Sequence, residues 1–306
     1  MDNTQAADSC FKEANIDFVQ NEPLKNHSTF KIGGLAAFFV SPKNIQEVIT
    51  TIQIAKQCTL PYFILGEGSN VVFNSEGFRG VVVYLGSLNG IKAEGSKITA
   101  QAGAKLWDVC LAAKDSSLTG LCFGYGIPGS VGGAMYMNAG AFDGEMKCVA
   151  ESVEYLMEDG TLKTLKLEEM QLGYRTSVFQ AMKGCILSAR FSLAPGNKDE
   201  IAAKMEDFWV RRQDKQPLDM PSAGSAFKRP EGAFAGALID NCGLRGYRMG
   251  DAAISDKHCG FIVNHGNATS NDIVELANYV SLVVKEKTGY TLEREIRIID
   301  SEGNPD

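Results

Sequence analysis

The stretch Gly124-Tyr-Gly-Ile-Pro-Gly-Ser-Val-Gly-Gly-Ala-Met-Tyr-Met-Asn-Ala-Gly-Ala141 constrains this chain more than any other. Six of its eighteen residues are Gly. A residue without a Cβ takes positive φ freely and lets main chain approach a ligand closely. Pro128 sets one φ and removes one donor, while Ser130 and Asn138 add short polar side chains beside main-chain N–H groups. Such a segment suits a pyrophosphate or a flat ring lying against backbone. A second glycine loop, Gly66-Glu67-Gly68-Ser69-Asn70, follows the apolar run Tyr62–Leu65. The two loops are expected to wall one cofactor site.

Gly124-Tyr-Gly-Ile-Pro-Gly129 matches the G-x-G-x-x-G pattern of dinucleotide folds. That pattern works there as a tight turn between a strand and a helix packed closely on the sheet. Pro128 inside the motif, with Gly132 and Gly133 after it, argues against that geometry. The Gly66–Asn70 loop fails the pattern at its third glycine. It is followed by what reads as a hairpin, Val71–Phe73 and Gly80–Leu85 around a turn at Asn74–Gly77. Each loop alone is more readily a plain turn; the pair favours a phosphate-bearing cofactor, whose identity these residues leave open.

Around the loops, short strands mix with a few helices. Residues 1–20 are polar, with room for one short helix. Asn26–Gly34 is a turn entering a strand at Ala36–Val40. Ser41-Pro42 reads as the start of a helix carrying Ile45, Val48, Ile49, Ile52 and Ala55. Lys97–Gln101 alternates as a half-exposed strand, and Leu106, Val109, Cys110 and Ala113 mark a helix face. Asp159-Gly160 joins Glu151–Met157 to Thr161–Leu167 as a hairpin. Gly184–Leu193 is a further strand, and Pro195-Gly-Asn a loop suited to a domain boundary. A helix over 198–214 stops at Pro217–Pro221, Ser270 caps another that runs through Val284, and Thr291–Asp300 alternates as a closing strand. Strands dominate the first two hundred residues without βαβα alternation. The fold class is therefore α+β, with sheet subdomains flanking the cofactor.

Other candidates are weaker when taken alone. Ser225 lacks the second glycine of a nucleophile elbow and reads as a turn serine. Glu293 and Glu295 share one strand face, which is most simply a solvated one. Tyr174-Arg175 reads as a loop with a surface arginine. His258 and His265 have no carboxylate at ligand spacing, so no metal site is expected. The net charge of −7 argues against a nucleic-acid partner. Eight scattered Cys without a C-x-x-C pair fit a reducing compartment. No apolar run nears the ~20 residues that span a bilayer, and the N-terminus lacks a cationic and apolar leader. A soluble, cytoplasmic chain is expected, with no membrane partner.

Taken in order, the motifs resemble the UDP-N-acetylenolpyruvoylglucosamine reductase family. The resemblance rests on Ser28–Gly34, Leu65–Asn70, Gly126–Ala134, Met137–Ala141, Tyr174-Arg175, Gly224–Lys228, Lys257-His258 with Phe261–Asn264, and Leu292–Ile296. It implies an FAD fold of the vanillyl-alcohol oxidase and p-cresol methylhydroxylase type. It implies an FAD-binding domain over 21–196, in subdomains of about 21–88 and 89–196, after an N-terminal extension over 1–20 and before a substrate domain over 197–306. FAD would be non-covalent and NADPH the reductant. The substrate would be UDP-N-acetylglucosamine enolpyruvate, reduced to UDP-N-acetylmuramate for peptidoglycan synthesis and hence for cell shape and division.

Residue by residue, the resemblance places FAD on Gly66, Glu67, Gly68, Ser69 and Asn70, and on Gly126, Ile127, Pro128, Gly129, Ser130, Gly132 and Gly133. Arg175, Ser225 and Glu295 look like its catalytic trio. Hydride would reach the terminal carbon of the enolpyruvyl group. Arg175 and Glu295 would stabilise charge gathering at the carboxylate, Glu295 through a raised pKa, and Ser225 would protonate the carbon beside it. Tyr174, Lys215, Lys228 and Arg229 would meet substrate, although Arg229 stands where many relatives have Asn. Residues 176–213 leave no room for the lid insertion of one branch, so the lidless branch is implied, and a monomer is expected. The competing readings are another FAD oxidase of the same fold, or a flavin- or nucleotide-sugar-binding module without turnover.

Overall fold

The computed structural model describes residues 3–305; Met1, Asp2 and Asp306 lie outside the described residues. Among the described residues the chain builds, in succession, three sheets of three or more strands. In the first, β1 (Phe18–Pro23), β2 (Leu35–Val40), β3 (Tyr62–Leu65) and β5 (Phe78–Tyr84) lie in the order β1-β2-β5-β3. β5 carries Val81-Val-Val83, buried at every position. A continuous apolar run of this kind belongs in a strand covered on both faces, and β5 lies inside, parallel to β2 and β3. Parallel neighbours need a crossover, which α2 (Ile45–Gln57) provides.

Asn44, rather than Ser41-Pro42, caps α2. Its Oδ1 accepts the Glu47 N–H at 3.0 Å, and the Glu47 carboxylate takes the Lys43 N–H at 2.8 Å. Ser41 Oγ is engaged instead with Ser87 Oγ, 3.1 Å away. Ahead of the sheet, α1 (Asn3–Glu13) buries Ala7 and Phe11, with the Phe11 ring 5.3 Å from Phe18 and 5.5 Å from Phe38. β1 is polar because it is an edge strand, and its sequence therefore shows no buried face.

The expected hairpin after the Gly66–Asn70 loop does not form. β4 (Val71–Phe73) pairs in parallel with β18 (Arg297–Ile299), Arg297 opposite Val71. The Asn74 N–H completes this ladder on Ile299 O at 2.9 Å. Burial decides the pairing: Phe73 and Ile299 enter one core with Leu24, Phe39 and Phe78.

The second sheet is antiparallel, in the order β12-β11-β13-β7-β6. It contains β6 (Ile91–Glu94), β7 (Lys97–Gln101), β11 (Ala150–Met157), β12 (Leu162–Lys166) and β13 (Gly184–Ser192). The hairpin at Asp159-Gly160 is present, with Gly160 at φ +89°. Two short pairs, β8 (Leu118–Thr119) with β14 (Ala194–Pro195) and β9 (Gly140–Ala141) with β10 (Gly144–Glu145), lie beside it. So do α3 (Leu106–Asp115) and the six-residue α4 (Val131–Tyr136).

The last third begins with α5 (Lys198–Lys215), whose Ile201, Met205 and Phe208 join the core of the second sheet. It continues through α6 (Ala235–Asn241) and a small antiparallel sheet of β15 (Arg248–Met249), β16 (Ala252–Ile254) and β17 (Ile262–Asn264), then α7 (Ser270–Thr288). Thr269, not Ser270, caps α7: Thr269 Oγ1 accepts the Asp272 N–H at 3.1 Å and Asp272 returns the bond to the Thr269 N–H. Ser270 exchanges hydrogen bonds with Ser75 instead. The closing strand shrinks to β18, because the chain before it bonds to the serine loop, Lys228 N–H to Glu293 O and Glu295 N–H to Ala226 O. Phe30, Ile32 and Val72 share a core with this last third, and Asn264 Nδ2 donates to Phe30 O at 3.0 Å.

Candidate active site

The two glycine loops face each other. A Cβ at Gly66 would collide with Ser130 Oγ, and one at Gly129 would lie 3.3 Å from Ser69 Oγ. Gly68, at φ +62°, would drive a Cβ into the His27 carbonyl. Ser130 caps α4 by accepting the Gly133 N–H at 3.3 Å. Gly132 donates its N–H to Ala102 O at 2.8 Å, which ties this loop to the second sheet. Just before Pro128, the Ile127 N–H on Gly124 O at 3.0 Å closes a turn, and Gly126 stands in it at φ +80°. Gly126 faces away from the other loop, against Trp209 and Arg212 of α5. Glu67 and Tyr84 line a cavity of about 230 Å³ beside the Gly66–Asn70 loop, with Asn26, His27 and Lys31. A surface of bare main chain between two loops is what a flat, phosphate-bearing cofactor needs, and the residues fit FAD in this respect. Asn70 Nδ2 donates to Glu295 O at 3.3 Å, joining the Gly66–Asn70 loop to the segment that carries the acidic candidate.

That segment forms one wall of a cleft of about 480 Å³, lined by Tyr174, Arg175, Ser225, Arg229, Phe234 and Glu295 among others. Arg175 Nε donates to Glu295 Oε1 at 2.6 Å, and Nη2 reaches Gly140 O at 3.4 Å. The Glu295 side chain is 12 % exposed, whereas that of Glu293 is 70 % exposed and pairs with Lys228. The strand-face reading of both as solvated therefore fails for Glu295, because the serine loop and Arg175 cover its position. Burial pushes the Glu295 carboxyl above the usual carboxylate range, and the Arg175 guanidinium pulls it part of the way back. Ser225 lies between Gly224, at φ +75°, and the fully buried Ala226. It bridges to Phe261, while the Ala226 N–H donates to Gly260 O at 2.7 Å. This strand-like pairing leaves Ser225 in the cleft wall, where the turn-serine reading did not put it.

Tyr174 lies at the mouth, 53 % exposed; its hydroxyl accepts the Arg229 N–H at 3.0 Å and its ring lies 5.2 Å from the Arg175 guanidinium. Arg229 stacks on Phe234 at 3.9 Å. Lys228 turns to Glu293, and Lys215 is exposed at the end of α5; neither lines the cleft. The far wall holds residues that pattern reading gave no role. Arg245 grips Asp240 at 2.9 and 2.6 Å. His258 accepts the Gly260 N–H on Nδ1 at 3.0 Å, and burial lowers its pKa. Phe234 is 61 % exposed. A signal for Arg245 was available: Gly243-Leu-Arg-Gly246 sets it between two glycines at φ +74° and +69°.

Residues 216–299 match the family model described as UDP-N-acetylenolpyruvoylglucosamine reductase, C-terminal domain, and residues 36–166 match that of an FAD binding domain. The chain is 49 % identical over 279 residues to the UDP-N-acetylenolpyruvoylglucosamine reductase of Caldanaerobacter subterraneus subsp. tengcongensis, covering 91 % of this chain and 92 % of that one. It is 47 % identical over 284 residues to the same-named protein of Geobacillus kaustophilus, covering 93 % of each. The crystal structure of UDP-N-acetylenolpyruvylglucosamine reductase from Thermus caldophilus superposes with a TM-score of 0.78 at 34 % identity, over 92 % of this chain and 98 % of that one. A xylooligosaccharide oxidase from Myceliophthora thermophila shares the fold alone, with a TM-score of 0.52 at 16 % identity over 92 % of this chain and 59 % of that one.

Proposed function

The chain belongs to the UDP-N-acetylenolpyruvoylglucosamine reductase family, and on that premise we propose that it reduces UDP-N-acetylglucosamine enolpyruvate to UDP-N-acetylmuramate in the cytoplasm, with NADPH as reductant and non-covalent FAD as carrier. The product would enter peptidoglycan synthesis, and through it cell shape and division. The observation that carries the reading is the meeting of Arg175, Ser225 and Glu295 in one cleft from three separate segments, with the Arg175 Nε to Glu295 Oε1 bond at 2.6 Å. An oxidase of the same fold would have no need of this trio. The chemistry that FAD supplies when bound is two-electron, a hydride equivalent accepted from NADPH and passed on.

The chain's own residues do the rest. As the terminal carbon of the enolpyruvyl group gains hydride, negative charge moves toward its carboxylate. Arg175 meets that charge with a fixed guanidinium, the electrostatic task of an oxyanion-type site. Glu295, in its protonated form, donates a hydrogen bond to the same carboxylate; the raised pKa supports this role. The Ser225 hydroxyl delivers its proton to the carbon beside the carboxylate. Tyr174 and Arg229 at the mouth offer a hydroxyl and a cation to the diphosphate; Lys215 and Lys228 would have to turn toward it from outside the cleft. Residues 21–196 act as the FAD-binding domain, in two subdomains, and 197–306 as the substrate domain. The protein acts as a monomer. The test is NADPH oxidation by yellow, FAD-loaded protein with and without UDP-N-acetylglucosamine enolpyruvate. Rapid oxidation only with the substrate is expected, and acid should release free FAD. Substrate-independent turnover with peroxide formation would favour the oxidase reading.

A further inference from the structure

Arg175 holds φ at +54°. A residue with a Cβ seldom occupies this left-handed region, and it persists there only where the surroundings over-determine it. The ends of its turn are closed by Gly173 and Thr176, each donating its N–H to the other's carbonyl, at 3.0 and 3.2 Å. Asn138 Nδ2 adds a bond to Gly173 O at 2.8 Å. The middle of the turn is held by one side chain. Gln180 Nε2 donates to Arg175 O at 3.1 Å and to Tyr136 O at 3.1 Å. Its third neighbour is Met137 Sδ at 3.7 Å; all three are acceptors, so the amide must present its NH₂ to them, and its two hydrogens serve the two carbonyl oxygens first.

The second acceptor joins this turn to the rest of the site. Tyr136 O, at the end of α4, also takes the Ser177 hydroxyl at 2.6 Å. The Tyr136 hydroxyl accepts from Arg297 Nη1 at 2.6 Å, and Arg297 stands two residues beyond Glu295. The contacts therefore close a circuit: Arg175 to Glu295, along the chain to Arg297, to Tyr136, to Gln180 and back to Arg175. Gln180 does not line the cleft; apart from a contact with Met137 Sδ, it acts on main chain.

We propose that Gln180 is a positioning residue for Arg175: its amide, shared between the Arg175 and Tyr136 carbonyls, holds the left-handed backbone that aims the guanidinium at Glu295 and into the cleft. The inference rests on the reading of Arg175 as the group that stabilises charge while the substrate is reduced. Gln180→Leu keeps bulk and removes both donors. Gln180→Lys restores donors toward the same carbonyls. The FAD-loaded variants, with Arg175→Lys as reference, are reduced by NADPH in rapid mixing and then reoxidised by UDP-N-acetylglucosamine enolpyruvate. In Gln180→Leu, reoxidation at saturating substrate should fall about 10- to 100-fold, as expected for a misaimed group. The half-saturating substrate concentration, the flavin spectrum and the reduction by NADPH should stay close to those of the parent. Gln180→Lys should recover most of the lost rate. Reoxidation of Gln180→Leu within twofold of the parent overturns the proposal. So does a parallel loss of FAD content and of both half-reactions, which would make Gln180 merely structural. If Arg175→Lys itself reoxidises at the parental rate, the reading of Arg175 fails first and takes the inference with it.

Discussion

Glu295 stands under two opposed influences, burial that raises its pKa and Arg175 that lowers it, and burial prevails. Relative to the unfolded chain, folding therefore shifts it toward its protonated form. The sign follows from linkage: this group's stability contribution is fully present below the ordinary carboxylate range and is lost as pH rises through the raised value. Glu295→Gln should flatten that part of the stability-versus-pH curve in thermal melts. The same variant keeps a donor but changes its acidity and direction, so kcat should fall by about 100-fold or more while FAD content stays unchanged. Near-normal turnover would return Glu295 to a structural role. Ser225→Ala tests the proton. It should leave flavin reduction by NADPH intact and slow the recovery of flavin absorbance with the enolpyruvyl substrate by about 10²–10⁴-fold. Slow bleaching with fast recovery would instead assign Ser225 to the nicotinamide step.

At the scale of elements, the glycine loops were legible because their signal is local: a residue without a Cβ marks a place where something must come close. The structure names what comes close to Gly66, which is Ser130 of the other loop. Gly66→Ala should then push the loops apart. Expected is a protein that folds but is purified with well under half the parental ratio of flavin to protein absorbance. Full flavin content would mean that the loops do not share one cofactor. The hairpin at Asp159-Gly160 and the apolar faces of α2, α3, α5 and α7 were legible for the same local reason. Cap positions at α2 and α7 were displaced by one to three residues, since several polar side chains compete at each start and the winner is the one with a reciprocal partner, Glu47 or Asp272. The polar β1 left no trace, because an edge strand need not alternate.

At the scale of the molecule, the last third is fastened to the first part of the chain by the β4–β18 ladder, by a shared core and by buried polar links. Asn264, 2 % exposed, donates to Phe30 O and accepts the N–H groups of Gly266 and Ala268 at 2.8 and 3.0 Å. Asn264→Leu would strand one carbonyl and two N–H groups, each worth about 1–3 kcal/mol when buried unsatisfied. The thermal midpoint should fall by roughly 5 °C or more. A change within 1 °C would mean that this link is dispensable.

The ordered motifs alone were enough to indicate the cofactor class, the family and the three residues of the proposed trio. They could not show why Glu295 differs from Glu293. Spacing of two puts both on one face of an extended chain, and which part of that face is buried depends on what packs over it. That choice was made by Arg175, 120 residues away in the chain, and by the serine loop, which bonds to this segment through Ala226 and Lys228. The partner of β4 was likewise beyond local reading: three apolar residues can pair with any free edge, and the chain's last strand took it because Ile299 and Phe73 could then be buried together. Residue chemistry is carried by each side chain wherever it lies, whereas burial and partnership belong to the assembled fold.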